Sequence, residues 1–154
     1  MDRSLGLQKD HRQSIGLTTL RTALNMIKNI KNAVLLGSGI MGSGIACHLA
    51  NIGLEVLLLD IVAEKDQANS NIEIRNSWVN SSLKNAVKSK PSPIFNKSVL
   101  NNISTGNFTD DFEKVKNYDW IIEVVVEQLK IKNIIFEKVD RYRRKDSIVS
   151  SNTS

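Results

Sequence analysis

The sequence is poor in the residues that mark several protein classes. It has one cysteine, Cys47, so it forms no internal disulfide and no thiolate metal cluster, which removes disulfide-stapled secreted scaffolds and favours a reduced, cytoplasmic setting. Aromatic residues are 5% of the chain, and Trp78 and Trp120 stand singly, so no base-stacking platform for nucleic acid is in view. No apolar run approaches the roughly 18 residues of a membrane-spanning helix, so no membrane partner is expected. Charge is not strongly one-signed either. Twenty-one basic against 16 acidic residues give +5, which a solvated lysine-rich surface accounts for without an anionic polymer as partner. What is present suffices for a core: 41% hydrophobic and 24% charged residues over 154 positions suit one globular domain.

Residues 1–25 carry Arg3, Lys9, Arg12 and Arg21 among Ser, Thr and Leu, yet Asp2 and Asp10 and the lack of a long apolar stretch argue against a targeting signal. They read as a dispensable leader, disordered or weakly helical, with the domain proper opening at Met26. From Lys31 the chain alternates strands with helices. Asn32 to Leu36 is a short buried strand, and Met41 to Ile52 a helix carrying Ile45, Leu49 and Ile52 and stopped by Gly53. Leu54 to Asp60 is a second strand, completing a βαβ unit. Ala63 to Lys88, free of glycine and proline, predicts one long helix with Ile72, Val79, Leu83 and Val87 on its apolar face, ended by Pro91 and Pro93. Shorter signals predict a helical stretch over 96–101, a third strand over 103–106 and a helical turn over 110–115. A fourth strand is predicted over 119–126, a helix over 129–143 burying Ile131, Ile134, Ile135 and Val139, and a fifth strand over 147–150.

Gly37-Ser38-Gly39-Ile40-Met41-Gly42 matches G-x-G-x-x-G between the first strand and its helix. Gly37 permits the tight turn, Gly39 lets a pyrophosphate approach the backbone, and Gly42 lets the helix pack closely on the sheet, while the helix N-terminus offers N–H donors and positive dipole charge. Alone the motif is weak. Its position after a strand, and an acid eighteen residues beyond Gly42 at the end of the second strand, make it a dinucleotide-binding signature. That acid, Asp60, would accept the hydroxyls of the adenosine ribose and repel a 2′-phosphate, favouring NAD over NADP, and Ile61 offers no competing arginine.

Three segments together carry a more specific likeness: Gly37-Ser38-Gly39-Ile40-Met41-Gly42-Ser43-Gly44-Ile45-Ala46, then Val126-Glu127-Gln128-Leu129-Lys130-Ile131-Lys132 with Ile135-Phe136, then Ser151-Asn152-Thr153-Ser154. In this order they resemble the NAD-binding domain of the 3-hydroxyacyl-CoA dehydrogenase family, from about Met26 to the last residue. The middle, with Lys90-Pro91-Ser92-Pro93, looks most similar to the large bacterial members, in which this domain opens a multi-domain fatty acid β-oxidation protein. The resemblance implies a Rossmann-type doubly wound parallel sheet, here ordered 3-2-1-4-5 and truncated after the fifth strand, which would leave that strand as an uncovered apolar edge open to self-association or to a missing C-terminal domain. It implies NAD as cofactor, with Gly37, Gly39, Ile40, Met41, Gly42, Asp60, Glu127, Lys132, Asn152 and Ser154 around it. It also puts Ser154 against the substrate hydroxyl and the long helix near the CoA moiety of an acyl-CoA.

The same resemblance exposes a departure. The family's general base is a histidine held by a glutamate, beyond the Ser-Asn-Thr-Ser loop, whereas the histidines here are His11, in the leader, and His48, on the first helix. Neither matches, so the chain reads as an inactive fragment of an enzyme that oxidises L-3-hydroxyacyl-CoA to 3-ketoacyl-CoA. Two alternatives stay open: a standalone, non-catalytic NAD-binding or scaffold protein, and a dehydrogenase of the 3-hydroxyisobutyrate group, which the Glu127, Lys132 and Ser-Asn-Thr-Ser motifs disfavour. Cys47 reads as a packing residue. Arg141, Arg143, Arg144 and Lys145 read as cations at a helix C-terminus, with a grip on a CoA phosphate as the alternative.

Overall fold

The computed structural model describes residues 30–152. The leader read over 1–25, His11 and Ser154 lie outside them. Five strands form one parallel sheet: β1 (Asn32–Leu36), β2 (Glu55–Asp60), β3 (Ile103–Asn107), β4 (Trp120–Glu123) and β5 (Ile148–Ser151), in the order β3-β2-β1-β4-β5. The reversal of strand order lies between β1 and β4. That is where an open α/β sheet forms a crevice beyond the carboxyl ends of its strands.

Because both faces are covered, the central strands are continuously apolar rather than alternating. On one face Ala33, Leu35, Val56, Leu58 and Ile122 meet α1 (Ile40–Asn51) and, through Val79, α3 (Ser77–Lys88). On the other, Val34, Leu36, Leu57, Leu59 and Ile121 meet Ile135 and Val139 of α4 (Leu129–Tyr142) and Phe112 and Val115 of a 3₁₀ helix over Phe112–Asn117. α1 buries mostly small side chains, Gly42, Ser43, Ala46, Cys47 and Ala50 with Leu49, which lets it lie close to the sheet. It ends at Gly53, whose φ of +89° closes the last turn with its N–H on Ala50 O.

Several elements differ from the sequence reading. The long helix over 63–88 is broken into a 3₁₀ turn (Glu64–Asp66), a single helical turn α2 (Ile72–Arg75) and α3. Asparagines break it without help from glycine or proline. Asn69 Oδ1 accepts from Asn71 N–H, Asn71 Oδ1 caps α2 through Glu73 N–H, and Asn76, between α2 and α3, accepts from Asn107 Nδ2. Ile72 is consequently 47% exposed rather than part of the apolar face. β4 stops at Glu123 instead of reaching Val126, because the Glu123 carboxylate takes the Val125 N–H and turns the backbone out of the sheet. Ile52, which the sequence reading placed on the first helix, follows α1 and is exposed, and on α4 only Ile135 and Val139 are buried, leaving Ile131 and Ile134 in contact with solvent.

Candidate functional site

The turn after β1 is built for close approach. Gly37 has φ +118°, and a Cβ there would sit 2.6 Å from Val124 O; a Cβ on Gly42 would lie 1.9 Å from Gly37 O. Both glycines are therefore required by the protein itself. Gly39 is different. It is exposed, its φ is −56°, and a Cβ there would meet nothing within 4 Å. The space over Gly39 is kept clear by sequence and not by packing.

Gly39 caps α1 without a side-chain hydrogen bond, and the helix ladder begins only with Ser43 N–H on Gly39 O at 2.9 Å. The N–H groups of Ile40, Met41 and Gly42 thus precede the first helical bond, and no acidic side chain occupies the first turn. The turn opens on a crevice of about 560 Å³ between α1 and α3, lined by Gly39, Ile40, Gly44, Ser82, Asn85 and Pro93. Ser82 and Asn85 also border a second hollow of about 430 Å³ reaching Ala63 and Lys65. Ile40 and Met41 are 94% and 58% exposed at the rim.

Asp60, at the end of β2, is half-buried and already oriented. Its Oδ2 accepts from Ser38 N–H at 2.6 Å and Ser38 Oγ at 2.5 Å, and its Oδ1 from Ile61 N–H at 2.7 Å. Ser38 is buried, and its own carbonyl accepts from Ser43 Oγ at 2.7 Å. Ser38 fills a variable position of the glycine motif, which by itself marks no function. The signal was a hydroxyl residue placed where only the backbone is usually read. Of the four acceptor sites of the Asp60 carboxylate, Ser38 and Ile61 fill three, and the remaining one is on Oδ1.

Glu127 lies in the exposed bend between β4 and α4, Lys132 is half-buried in the first turn of α4, and Asn152 follows β5. All three sit at the carboxyl ends of β4 and β5, across the switch point from Asp60. Asn152 is tied there by its N–H on Glu123 O at 2.9 Å. The remaining sequence candidates separate from this group. His48 is exposed in the last turn of α1, about 12 Å of helix away from Ile40 at 1.5 Å per residue. Cys47 is buried, and burial pushes its thiol pKa up, as suits a packing residue. Arg143 pairs with Asp140 at 2.8 Å, and Arg144 with Asp119 at 2.6 Å and Asp146 at 3.4 Å. Asp119 and Asp146 precede β4 and β5, so Arg144 belongs to the opposite end of the sheet from the glycine turn. Trp120 Nε1 donates to Ser150 Oγ at 2.9 Å, joining β4 to β5, whereas Trp78 is 52% exposed and is no core residue.

The profile of the family described as "3-hydroxyacyl-CoA dehydrogenase, NAD binding domain" matches residues 32–154. A Bacillus subtilis protein named "Probable 3-hydroxyacyl-CoA dehydrogenase" is 49% identical over 137 residues, which are 84% of this chain and 17% of that protein. A Deinococcus radiodurans protein of the same name is 38% identical over 125 residues, 81% of this chain and 34% of the relative. Among solved structures, the (S)-3-hydroxybutyryl-CoA dehydrogenase PaaH1 of Ralstonia eutropha superposes with a TM-score of 0.57 at 27% identity, covering 82% of this chain and 42% of that one. The chain therefore spans about a sixth and about a third of the length of these two curated relatives.

Proposed function

Because this chain belongs to the family of 3-hydroxyacyl-CoA dehydrogenase NAD-binding domains, we propose that it lays NAD across the β1–β4 switch point, adenosine toward Asp60 and nicotinamide toward Asn152. The observation that carries this reading is the open space over Gly39 beside three N–H groups that precede the first helical bond. Gly37 and Gly42 shape the turn, and the N–H groups of Ile40, Met41 and Gly42 receive the pyrophosphate. Asp60 offers its remaining Oδ1 acceptor site to one ribose hydroxyl, and the Ser38 hydroxyl, free to rotate, yields Oδ2 to the other. A 2′-phosphate would face the same carboxylate, which disfavours NADP.

At the other end Glu127, Lys132 and Asn152 border the nicotinamide half, and Ser154, beyond the described residues, completes that loop in the reading. NAD when bound accepts the hydride from C3 of an L-3-hydroxyacyl-CoA. The protein's share is to hold and orient the cofactor, with the CoA moiety near the segment that holds α3. The only described histidine, His48, is at the far end of α1, so proton removal from the substrate hydroxyl is assigned to a longer protein in which this domain works, and the chain by itself is a binder without turnover. Residues from about Met26 form the domain, and 1–25 are dispensable for cofactor binding. A reduced, cytoplasmic compartment suits its lone buried thiol. Among the described residues no helix is long and apolar enough to cross a membrane.

The test is a fluorescence titration of the purified chain with NADH, alongside an assay of NADH oxidation by acetoacetyl-CoA. Saturable binding without turnover is the expected result, unchanged on deletion of 1–25. Absence of binding contradicts the cofactor site, and turnover contradicts the assignment of the base elsewhere.

A further inference from the structure

Glu123 is a charged side chain with no exposed surface at the end of the interior strand β4, and nothing in the binding scheme above uses it. Burying a carboxylate is costly unless it is hydrogen-bonded, so what it touches is informative. One oxygen, Oε1, accepts from Val125 N–H at 2.7 Å. The other, Oε2, accepts from Ser151 Oγ at 2.5 Å, and the Glu123 main-chain carbonyl accepts from Asn152 N–H. The first bond bends the chain that leads to Glu127 and Lys132. The second and third fasten the end of β5 and the start of the loop that carries Asn152. Both sides of the nicotinamide end are thereby held by one residue, while on the adenosine side the Asp60 carboxylate is fixed by Ser38 and Ile61.

From this we infer that Glu123 is a positioning residue for the nicotinamide half of the cofactor, a clasp that sets the separation of the β4–α4 bend and the loop after β5. The inference rests on the proposed placement of NAD and extends it: the two halves of the dinucleotide are preorganised by independent hydrogen-bond systems, Ser38–Asp60 on one side and Glu123–Ser151 on the other. Loosening the clasp costs contacts with the nicotinamide nucleotide only. Glutamine keeps the arrangement, since its Oε1 still accepts from Val125 N–H and its amide can donate to Ser151 Oγ.

The experiment compares NADH with ADP-ribose, which carries the adenosine and pyrophosphate but no nicotinamide, as ligands for the full chain and for Glu123→Ala, Glu123→Gln and Ser151→Ala. Glu123→Ala and Ser151→Ala are expected to weaken NADH by about five-fold or more, the scale of one lost hydrogen bond, while ADP-ribose stays within about two-fold and Glu123→Gln remains close to the parent for both. Equal loss of both ligands, or no loss of NADH, overturns the assignment and leaves Glu123 a purely structural residue. Should Glu123→Ala not fold, Ser151→Ala, at the exposed end of β5, decides the same question. A parent chain that binds neither ligand refutes the cofactor site itself, which is a different failure from a parent that binds both and variants that lose both.

Discussion

At the residue scale the chemistry is concentrated in Asp60 and the backbone it faces. A charge-assisted hydrogen bond is worth about 1.5–3 kcal/mol, so Asp60→Asn is expected to weaken NADH by roughly 10- to 100-fold. Removing the negative charge also removes the repulsion of a 2′-phosphate, so the ratio of NADPH to NADH dissociation constants should fall toward one. Competitive titration of the two nucleotides measures it, and an unchanged ratio would show that Asp60 does not face the ribose. The identity of Asp60 was readable from its spacing to the glycines alone. Its preorganisation by Ser38 was not, because a serine in the variable position of the motif looks like any small residue until its hydroxyl is seen 2.5 Å from the carboxylate. Glu123 was hidden for the opposite reason: an acid within a β-branched run reads as an interruption of the strand, and only the fold shows that it ends β4 by bonding Val125 N–H.

Elements were legible where one pattern dominates. The five strands follow from short apolar runs separated by helices, while their order is the one the family resemblance implies, and the structure has that order with parallel register throughout. Leu35 and Leu58 face each other across β1 and β2, both fully buried, and Leu58→Ala is expected to cost about 2–5 kcal/mol in urea denaturation. A loss below 1 kcal/mol would contradict the packing described. The breaks between Ala63 and Lys88 are not legible in the sequence, because periodicity does not register asparagines that bond the nearby backbone. What holds that broken segment is a polar cluster: Arg75 pairs with Asp110 at 2.7 Å, and Asp110 also accepts from Asn107 Nδ2 at 2.8 Å. The hydrogen bonds from Arg75, and then from Asn107, hold the Asp110 carboxyl below the usual carboxylate range. A depressed folded-state pKa contributes stability that is complete above the unfolded-state pKa and disappears as pH falls through the folded one. Asp110→Asn should therefore melt below the parent at neutral pH, with the difference shrinking as pH drops into and below the ordinary carboxylate range. A difference independent of pH would mean that the ion pair is not its source.

For the whole molecule, apolar side chains are left uncovered in both halves of the sheet. Ile52, Ile61 and Phe95 are exposed in the β2–β3 half. On the β4–β5 side Val126 is 60%, Leu129 76%, Ile131 36%, Ile134 48% and Ile148 40% exposed. The curated relatives run far past the matched stretch, this chain covering 17% and 34% of the two described above. Further chain in a longer protein is the natural cover for this side. The isolated chain is accordingly expected to self-associate as its concentration rises, seen as an increasing average mass in sedimentation equilibrium and relieved by Ile134→Glu. A monomer across the whole concentration range would contradict that reading. The sequence anticipated an uncovered β5 edge, but not Ile131 and Ile134 on α4, which it had placed in the core because their spacing fits the helix period equally well.

Gly39 separates binding from folding more cleanly than any other position, since a side chain there meets nothing in the protein and stands where the pyrophosphate is proposed to lie. NADH titration of Gly39→Val beside the parent, with thermal melting of both, is the most direct measurement. Gly39→Val is expected to keep the parent's melting temperature and lose saturable NADH binding, whereas Gly42→Ala, whose Cβ would lie 1.9 Å from Gly37 O, should lose the fold as well. A Gly39→Val protein that folds and still binds NADH with the parent's affinity would contradict the proposed cofactor site.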